Sequence, residues 1–140
     1  WGGSPVYNLG PFQTATAKLL VFKLGATGVT LPPMPPPADL PRPPMLRASE
    51  AQISEGRALY AEVGCNRCHG DNATGGVKDL RFMTAESHAA FNDIVLRGTL
   101  ADRGMASFAD VLTPAQAEAI HAYLIARGNE DYADAAAQGS

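Results

Sequence analysis

The sequence predicts a mainly α domain that follows an N-terminal extension with a short strand and a proline-rich linker. From residue 49 onward, apolar residues recur at helical spacing in three stretches, each introduced by a side chain that caps helices. Eight of the eleven prolines fall within residues 32–44, where they exclude helix and central strand. We therefore divide the chain into an extension (1–30), a linker (31–48), a helical domain (49–132) and a frayed tail (133–140).

The extension contains one strand-like stretch, Lys18–Leu24, in which valine and phenylalanine favour a β conformation and which ends at Gly25. One strand cannot form a sheet alone, so its partners must lie elsewhere in the first 30 residues or in protein outside this chain. The prolines that follow predict an extended, semi-rigid spacer. This spacer is either a surface connector or a tether between two domains.

The first helix of the domain has a clear start and one unusual residue. Ser49 is a good N-cap, and Gln52 completes a capping box with it. Gly56 lies on the apolar face, although a glycine within a helix costs about 1 kcal/mol relative to alanine. We therefore expect another helix to cross this one closely at Gly56.

Two further helices are predicted downstream. The second begins after Thr84 as N-cap and stops at Gly98. The third begins after Thr113, with Pro114 at its first position, and ends at Gly128. The alanine-rich residues beyond it predict the frayed tail.

Composition excludes several classes of function. The formal net charge of -3 argues against a nucleic-acid binder and against adhesion to an anionic membrane, because both need basic surface. No run of about 18 apolar residues exists, so no membrane-spanning helix is expected. The chain begins at Trp1, without a basic segment followed by an apolar one, so we expect a processed or excised chain.

The two cysteines form the motif C-x-x-C-H, which runs from Cys65 to Cys68 and is followed at once by His69. This is the attachment signature of a c-type haem. Two thiols at this spacing reach the two vinyl groups on one edge of the porphyrin and form thioether bonds. The anchorage places His69 under the iron, where a neutral imidazole nitrogen is a good ligand.

Two other interpretations of the motif are disfavoured. A zinc site needs four ligands, and no second Cys/His pair exists in the sequence. A thioredoxin-like redox pair would follow a strand and open a helix, whereas here a predicted helix precedes the first cysteine. A haem site is therefore the prediction.

The second axial ligand is predicted to be Met105. It lies in a loop between two predicted helices, and Gly104 lets the backbone approach the open haem face. Met83 follows His69 too closely to cross to the opposite face, and we expect it to fill the core. His88 and His121 are predicted to be surface residues on helices.

Residues 49–127 resemble a class I cytochrome c domain: a helix entering C-x-x-C-H, a loop, a middle helix, a methionine loop and a last helix. The fold predicted by the resemblance is the class I cytochrome c fold, with three to four helices around a covalent haem. In that family the first and last helices cross through a glycine and aromatic residues. Gly56 and Tyr60 on the first helix and Tyr123 on the last match that role.

Three segments narrow the resemblance to the C-terminal haem domain of quinohaemoprotein, PQQ-dependent, alcohol or sugar dehydrogenases: Gly75–Arg81, Ile94–Gly98 and Gly104–Phe108. The strand and linker resemble the end of the β-propeller and the connector that precede that domain. The resemblance implies a PQQ-dependent dehydrogenase domain, absent from this chain, as electron donor. It implies an acceptor cytochrome, blue-copper protein or membrane quinone, and a periplasmic location.

One position departs from the family. Lys78 stands where the family usually has proline, in a loop whose backbone carbonyl accepts the Nδ1 proton of the ligating histidine. A carbonyl survives the loss of proline, so we expect the bond to persist, with the residue that supplies it left open. Arg81, by resemblance, pairs with a haem propionate; the alternative is a solvated surface arginine.

The predicted function is one-electron transfer through a single covalent haem c, with no substrate chemistry in this chain itself. Two alternatives stay open: a free-standing, diffusible periplasmic cytochrome, and a five-coordinate haem sensor or peroxidase. Apolar side chains are expected to shield the haem from water, and they are Leu59, Leu80, Ile94, Val95, Phe108 and Leu112.

Overall fold

The computed structural model describes residues 24–25 and 38–138. Residues from Leu40 onward belong to one compact unit, and residues up to Asp39 belong to another. The helices are α1 (Glu50–Glu62), α2 (Asn66–His69), α3 (Ala85–Ala89), α4 (Phe91–Val95) and α5 (Pro114–Gln138), with 3₁₀ turns at Leu80–Phe82 and Ala101–Arg103. The described residues contain no strand. The mainly α prediction is therefore confirmed.

The predicted strand Lys18–Leu24 lies outside the described residues except for Leu24, which forms a turn with Gly25. Within the predicted linker, residues 38–48 have no regular secondary structure. Proline explains this, because it lacks an amide donor and fixes φ. The boundaries of the extension and the linker stay predictions.

Helix α1 begins where the sequence predicts. The Oγ of Ser49 accepts a hydrogen bond from the backbone N–H of Gln52 at 3.3 Å. Ser49 itself has extended backbone angles, as an N-cap residue should. The helix buries Gly56 and Tyr60 on the face that meets α5.

Helices α1 and α5 cross at Gly56, as the sequence predicts. A Cβ added to Gly56 would lie 1.9 Å from the backbone oxygen of Ala119 on α5. No side chain fits there, so the glycine lets the two backbones approach. Beside this point the rings of Tyr60 and Tyr123 lie 5.4 Å apart at 60°, a favourable tilted arrangement. The predicted close crossing is confirmed.

The prediction of one continuous helix from Thr84 to Gly98 is wrong. Thr84 does cap a helix, and its Oγ1 accepts from the N–H of Ser87 at 3.3 Å. The chain then leaves helical geometry at Ala90, with φ −90° and ψ 9°, which separates α3 from α4. After this break, α4 buries Phe91 and Val95, so packing determines the path of the chain.

The predicted end of the last helix at Gly128 is also wrong. Thr113 and Gln116 form a reciprocal capping box at its start, as the sequence indicates. The helix then passes through Gly128 and continues to Gln138, so residues 133–138 are helical rather than frayed. Gly128 is buried against Pro43, whose Cγ lies 3.2 Å from where a Cβ would be. Its small size serves packing, not termination.

The core lies between α1, α4 and α5. Its buried members are mostly large apolar side chains, including Tyr60, Met83, Phe91, Val95, Leu112, Ile120, Tyr123 and Leu124. Met83 therefore fills the core, as predicted. No described helix has the length and apolarity needed to cross a bilayer.

Candidate haem site

The C-x-x-C-H motif forms a short helix directly after α1. Gly64 turns the chain out of α1 with φ +83°, a left-handed angle that glycine adopts freely. The N–H of Cys65 then donates to the carbonyl of Tyr60 at 3.0 Å, and the N–H of His69 donates to that of Cys65 at 3.0 Å. Residues three and four positions apart share one face of a helix, so Cys65, Cys68 and His69 lie together.

The two thiols are free and differ in their surroundings. Cys65 is partly buried, and burial raises the pKa of its thiol to about 11. It is therefore a neutral thiol near pH 7 rather than a reactive thiolate. Cys68 is exposed, and neither cysteine forms a disulfide. Two thiols on one helical turn, one of them exposed, suit a pair of thioether bonds.

The imidazole of His69 is held in one tautomer. Its Nδ1 lies 2.8 Å from the backbone carbonyl of Lys78. A carbonyl can only accept, so Nδ1 donates, and the lone pair is on Nε2. Lys78 thus supplies the carbonyl whose source the sequence left open. The bond survives the replacement of proline by lysine because it uses only the backbone.

The loop that carries Lys78 folds back on the motif. The N–H of Val77 donates to the carbonyl of Cys68 at 2.7 Å, and the N–H of Leu80 donates to that of Ala73 at 3.2 Å. The hydroxyl of Tyr60 donates to the carbonyl of Gly70 at 2.8 Å, which ties the start of the loop to α1. The loop is therefore held in large part by bonds to backbone carbonyls, which sequence patterns do not reveal.

Arg81 is not a solvated surface residue, so that interpretation is wrong. Its side chain is only 5% exposed and forms ion pairs with Asp79 and Asp131. Burial by itself lowers the pKa of Arg81, but the charges and hydrogen bonds of the two carboxylates outweigh it, so the pKa is raised. The pairing with a haem propionate stays a prediction. Asp79, two positions before Arg81, was the sequence signal for the pairing that the structure shows.

The methionine loop places Met105 partly buried against the same core cluster that Cys65 contacts. Its N–H donates to the carbonyl of Leu100 at 3.1 Å, and Gly104 before it takes a left-handed φ of +90°. Leu80 and Phe108 are also partly buried against this cluster. Met105 as an iron ligand stays a prediction.

The remaining residues of the predicted pocket fall into two groups. Val95 and Leu112 are buried in the core, and Leu59 packs against it. Ile94 is partly buried without belonging to that cluster. Their contacts with a haem stay predictions.

The prediction that His88 and His121 are surface residues is wrong. The two rings are stacked, with Nδ1 of His88 3.0 Å from Nε2 of His121. His121 also stacks on Phe91 with centroids 4.3 Å apart, and its side chain is 15% exposed. Burial, and the proximity of His121, lower the pKa of His88 to about 4. The pair is thus a largely uncharged packing contact between α3 and α5 at neutral pH.

Residues 51–124 match the family described as cytochrome c oxidase, cbb3-type, subunit III. The match covers more than half of the chain and includes the C-x-x-C-H motif and the methionine loop. The chain belongs to this cytochrome c family. Its described helices form a class I cytochrome c fold, as the sequence predicts.

Relatives of this cytochrome c domain include two enzymes of Pseudomonas putida. Quinohemoprotein alcohol dehydrogenase ADH-IIG is 43% identical over 116 residues, which cover 81% of this chain and 16% of the relative. Quinohemoprotein alcohol dehydrogenase ADH IIB is 36% identical over 140 residues, which cover 94% and 20%. The chain thus spans a fifth or less of the length of these relatives.

The solved structure of quinohemoprotein alcohol dehydrogenase ADHIIG from Pseudomonas putida HK5 superimposes on this domain with a TM-score of 0.62 at 43% identity. The match covers 80% of this chain and 16% of that one. The resemblance to the haem domain of quinohaemoprotein dehydrogenases is therefore confirmed.

The residues present fit the haem c that a cytochrome c domain implies. The motif offers two free thiols on one helical turn, and the imidazole beside them keeps its Nε2 lone pair because Nδ1 is bonded to Lys78. Leu80, Met105 and Phe108, which are partly buried against the same core cluster as Cys65, add apolar and thioether groups. Soft sulfur and imidazole donors suit iron in a haem.

Proposed function

We propose that this domain passes single electrons through one haem c attached to Cys65 and Cys68, with His69 and Met105 as axial ligands. The observation that carries the proposal is the 2.8 Å bond from Nδ1 of His69 to the carbonyl of Lys78, because it leaves Nε2 free for iron. When bound, the haem supplies reversible one-electron oxidation and reduction of its iron.

The side chains of the domain set the conditions for that chemistry. The Met105 thioether, a soft ligand, favours the reduced iron and raises the potential relative to a second histidine. The bond to Lys78 makes the His69 imidazole more basic and fixes its orientation. Apolar side chains exclude water from the site, and we propose Leu80, Ile94, Val95 and Phe108 for that role.

We further propose that the electrons come from the reduced PQQ of a dehydrogenase domain outside this chain. They would leave one at a time to a cytochrome, a blue-copper protein or a membrane quinone, in the periplasm. The proposal is supported by the names of the relatives, which are quinohemoprotein alcohol dehydrogenases, and by the small part of each that this chain spans.

The Met105 ligand can be tested with Met105→Leu, which keeps the volume of the side chain and removes the sulfur. The oxidised wild-type holoprotein should show a near-infrared sulfur-to-iron charge-transfer band that Met105→Leu loses. Met45→Leu is the matched control, because Met45 is 76% exposed, and Met83→Leu tests the buried alternative. Both should retain the band.

A band that persists in Met105→Leu and disappears in Met83→Leu would contradict the assignment. Carbon monoxide gives a second readout. The reduced wild-type protein should bind it poorly and the Met105→Leu variant readily, because only the variant has an open coordination position. Ready binding by the wild type would favour a five-coordinate sensor or peroxidase instead.

A further inference from the structure

The loop between Asn72 and Asp79 carries the carbonyl that orients the proposed iron ligand. Lys78 accepts the Nδ1 proton of His69, and only Asp79 separates it from the 3₁₀ turn Leu80–Phe82. A shift of this loop would lengthen the bond to His69. Whatever fixes the ends of the loop therefore also fixes the ligand.

One end of the loop is held by a forked ion pair. Oδ1 of Asp79 accepts from the backbone N–H and from Nε of Arg81, both at 3.0 Å, and Oδ2 accepts from Nη2 at 2.6 Å. Such two-pronged pairing is geometrically specific. Because Arg81 is almost fully buried, its position depends on its second ion-pair partner as well as on Asp79.

That partner lies on the C-terminal part of α5. Nη1 of Arg81 contacts Oδ2 of Asp131 at 3.5 Å, and Oδ1 of Asp131 accepts from Nη2 of Arg127 at 2.9 Å. Nε of Arg127 in turn donates to the backbone carbonyl of Asn72 at 3.5 Å. Helix α5 thus contacts the loop at both ends, with Asp131 on Arg81 and Arg127 on Asn72, and Glu130 is a further, exposed partner of Arg127.

The two α5 residues lie beyond the part of the chain that matches the family, which ends at residue 124. Asp131 lies on α5 only because the helix continues through Gly128. Removing one member of a largely buried network leaves its partner's charge uncompensated, which is costly. The network therefore has the strength to hold the loop.

We propose that Arg127 and Asp131 are positioning residues for the axial ligand, acting through Arg81 and Asp79 on the carbonyl of Lys78. The inference rests on the proposed ligation of iron by His69. It assigns to α5 a part in setting the reduction potential. When the loop loosens, the hydrogen bond from Nδ1 weakens, the imidazole donates less electron density, and the potential rises.

The test compares Asp131→Asn with Asp134→Asn in the holoprotein. Asp134 is exposed on the same helix, so its variant makes the same change of charge without reaching Arg81. Three quantities are measured: the reduction potential, the exchange of the His69 Nδ1 proton in the reduced state, and amide exchange at Val77 and Leu80.

Asp131→Asn should raise the potential more than Asp134→Asn does. It should also speed exchange of the Nδ1 proton about tenfold, which corresponds to the loss of roughly one hydrogen bond. The amides of Val77 and Leu80 should exchange faster as well. Asp131→Glu should restore all three quantities toward wild type, because it keeps the carboxylate.

Arg127→Gln provides a second route should Asp131→Asn fold poorly. Its control is Glu130→Gln, which removes an exposed partner of Arg127 and leaves Asp131 in place. Arg127→Gln should reproduce the faster exchange of the loop amides, and Glu130→Gln should not.

The possible failures are distinguishable. A wild-type protein without haem, or with haem not ligated by His69, would refute the proposed function. A haem-bearing Asp131→Asn that matches Asp134→Asn in potential and in proton exchange would overturn this inference alone, as would an Arg127→Gln whose loop amides exchange like those of wild type.

Discussion

The crossing of α1 and α5 and the loop that carries Lys78 are held by different kinds of contact. At the crossing, Gly56 brings the backbone of α1 against Ala119 of α5, and aromatic rings pack beside it. The loop is held instead by carbonyl groups and by ion pairs. The crossing is therefore sensitive to the size of the side chain at position 56. The loop is sensitive instead to the loss of a hydrogen bond or an ion pair. Tyr60 takes part in both, with its ring at the crossing and its hydroxyl on Gly70.

The largest effect should come from Gly56→Ala. The added methyl would lie 1.9 Å from the Ala119 backbone oxygen, so the helices must separate, at about 3 kcal/mol or more of unfolding free energy. Gly75→Ala in the loop is the control, because nothing lies within 4 Å and only its φ of +80° is strained. It should cost about 1–2 kcal/mol. Denaturant unfolding of both holoproteins measures the difference; equal costs would mean that the crossing is not sterically limited.

An effect of intermediate size on the unfolding free energy should distinguish Tyr60→Phe from Tyr123→Phe. Tyr60→Phe leaves the carbonyl of Gly70 without its donor and should cost about 1 kcal/mol of unfolding free energy. Tyr123→Phe removes a buried hydroxyl that has no partner among the described residues, so it should be neutral or slightly stabilising. Chemical denaturation again provides the measurement. A Tyr123→Phe variant that is less stable than Tyr60→Phe would reverse the assignment of the polar contact.

The smallest effect concerns pH and the contact between α3 and α5. Burial lowers the pKa of both His88 and His121, to about 4 for His88, and Glu118 opposes the shift at His121. Arg42 and the two histidines line one surface cavity. The unfolded chain takes up protons near pH 6.5, before the folded pair does. Stability should therefore be complete above that pH and decline as the pH falls toward 4.

The matched variant for this effect is His88→Gln, which removes one titrating ring. The melting temperature should fall less between pH 7 and pH 5 in this variant than in wild type. An identical fall in both proteins would show that the pair does not contribute to the pH dependence of stability.

Local signals predicted much of the crossing and of the motif. Ser49, Thr84 and Thr113 cap helices because their side chains satisfy the first free amides, a property that depends only on nearby residues. A glycine within a helix lowers stability, so Gly56 predicted a compensating contact. The close approach of α1 to α5 at Ala119 is that contact. The C-x-x-C-H motif identified the cofactor because its chemistry is contained within five consecutive residues.

Other features depend on contacts distant in sequence and could not be predicted. Arg81 pairs with Asp131, fifty positions away, and His88 pairs with His121, thirty-three positions away. The break at Ala90 carries no glycine or proline to mark it and reflects the burial of Phe91. In each case tertiary packing overrides a local preference.

The packing of Gly128 against Pro43 ties the segment before α1 to the last part of α5. Pro43 lies against α5, and the side-chain amide of Asn129 donates to the carbonyl of Pro44 at 3.1 Å. Residues 43 and 44 are therefore held on α5 before the chain reaches α1. A deletion that ended α5 before Gly128 would remove both contacts, so the last turns of α5 also fix the segment that leads into α1.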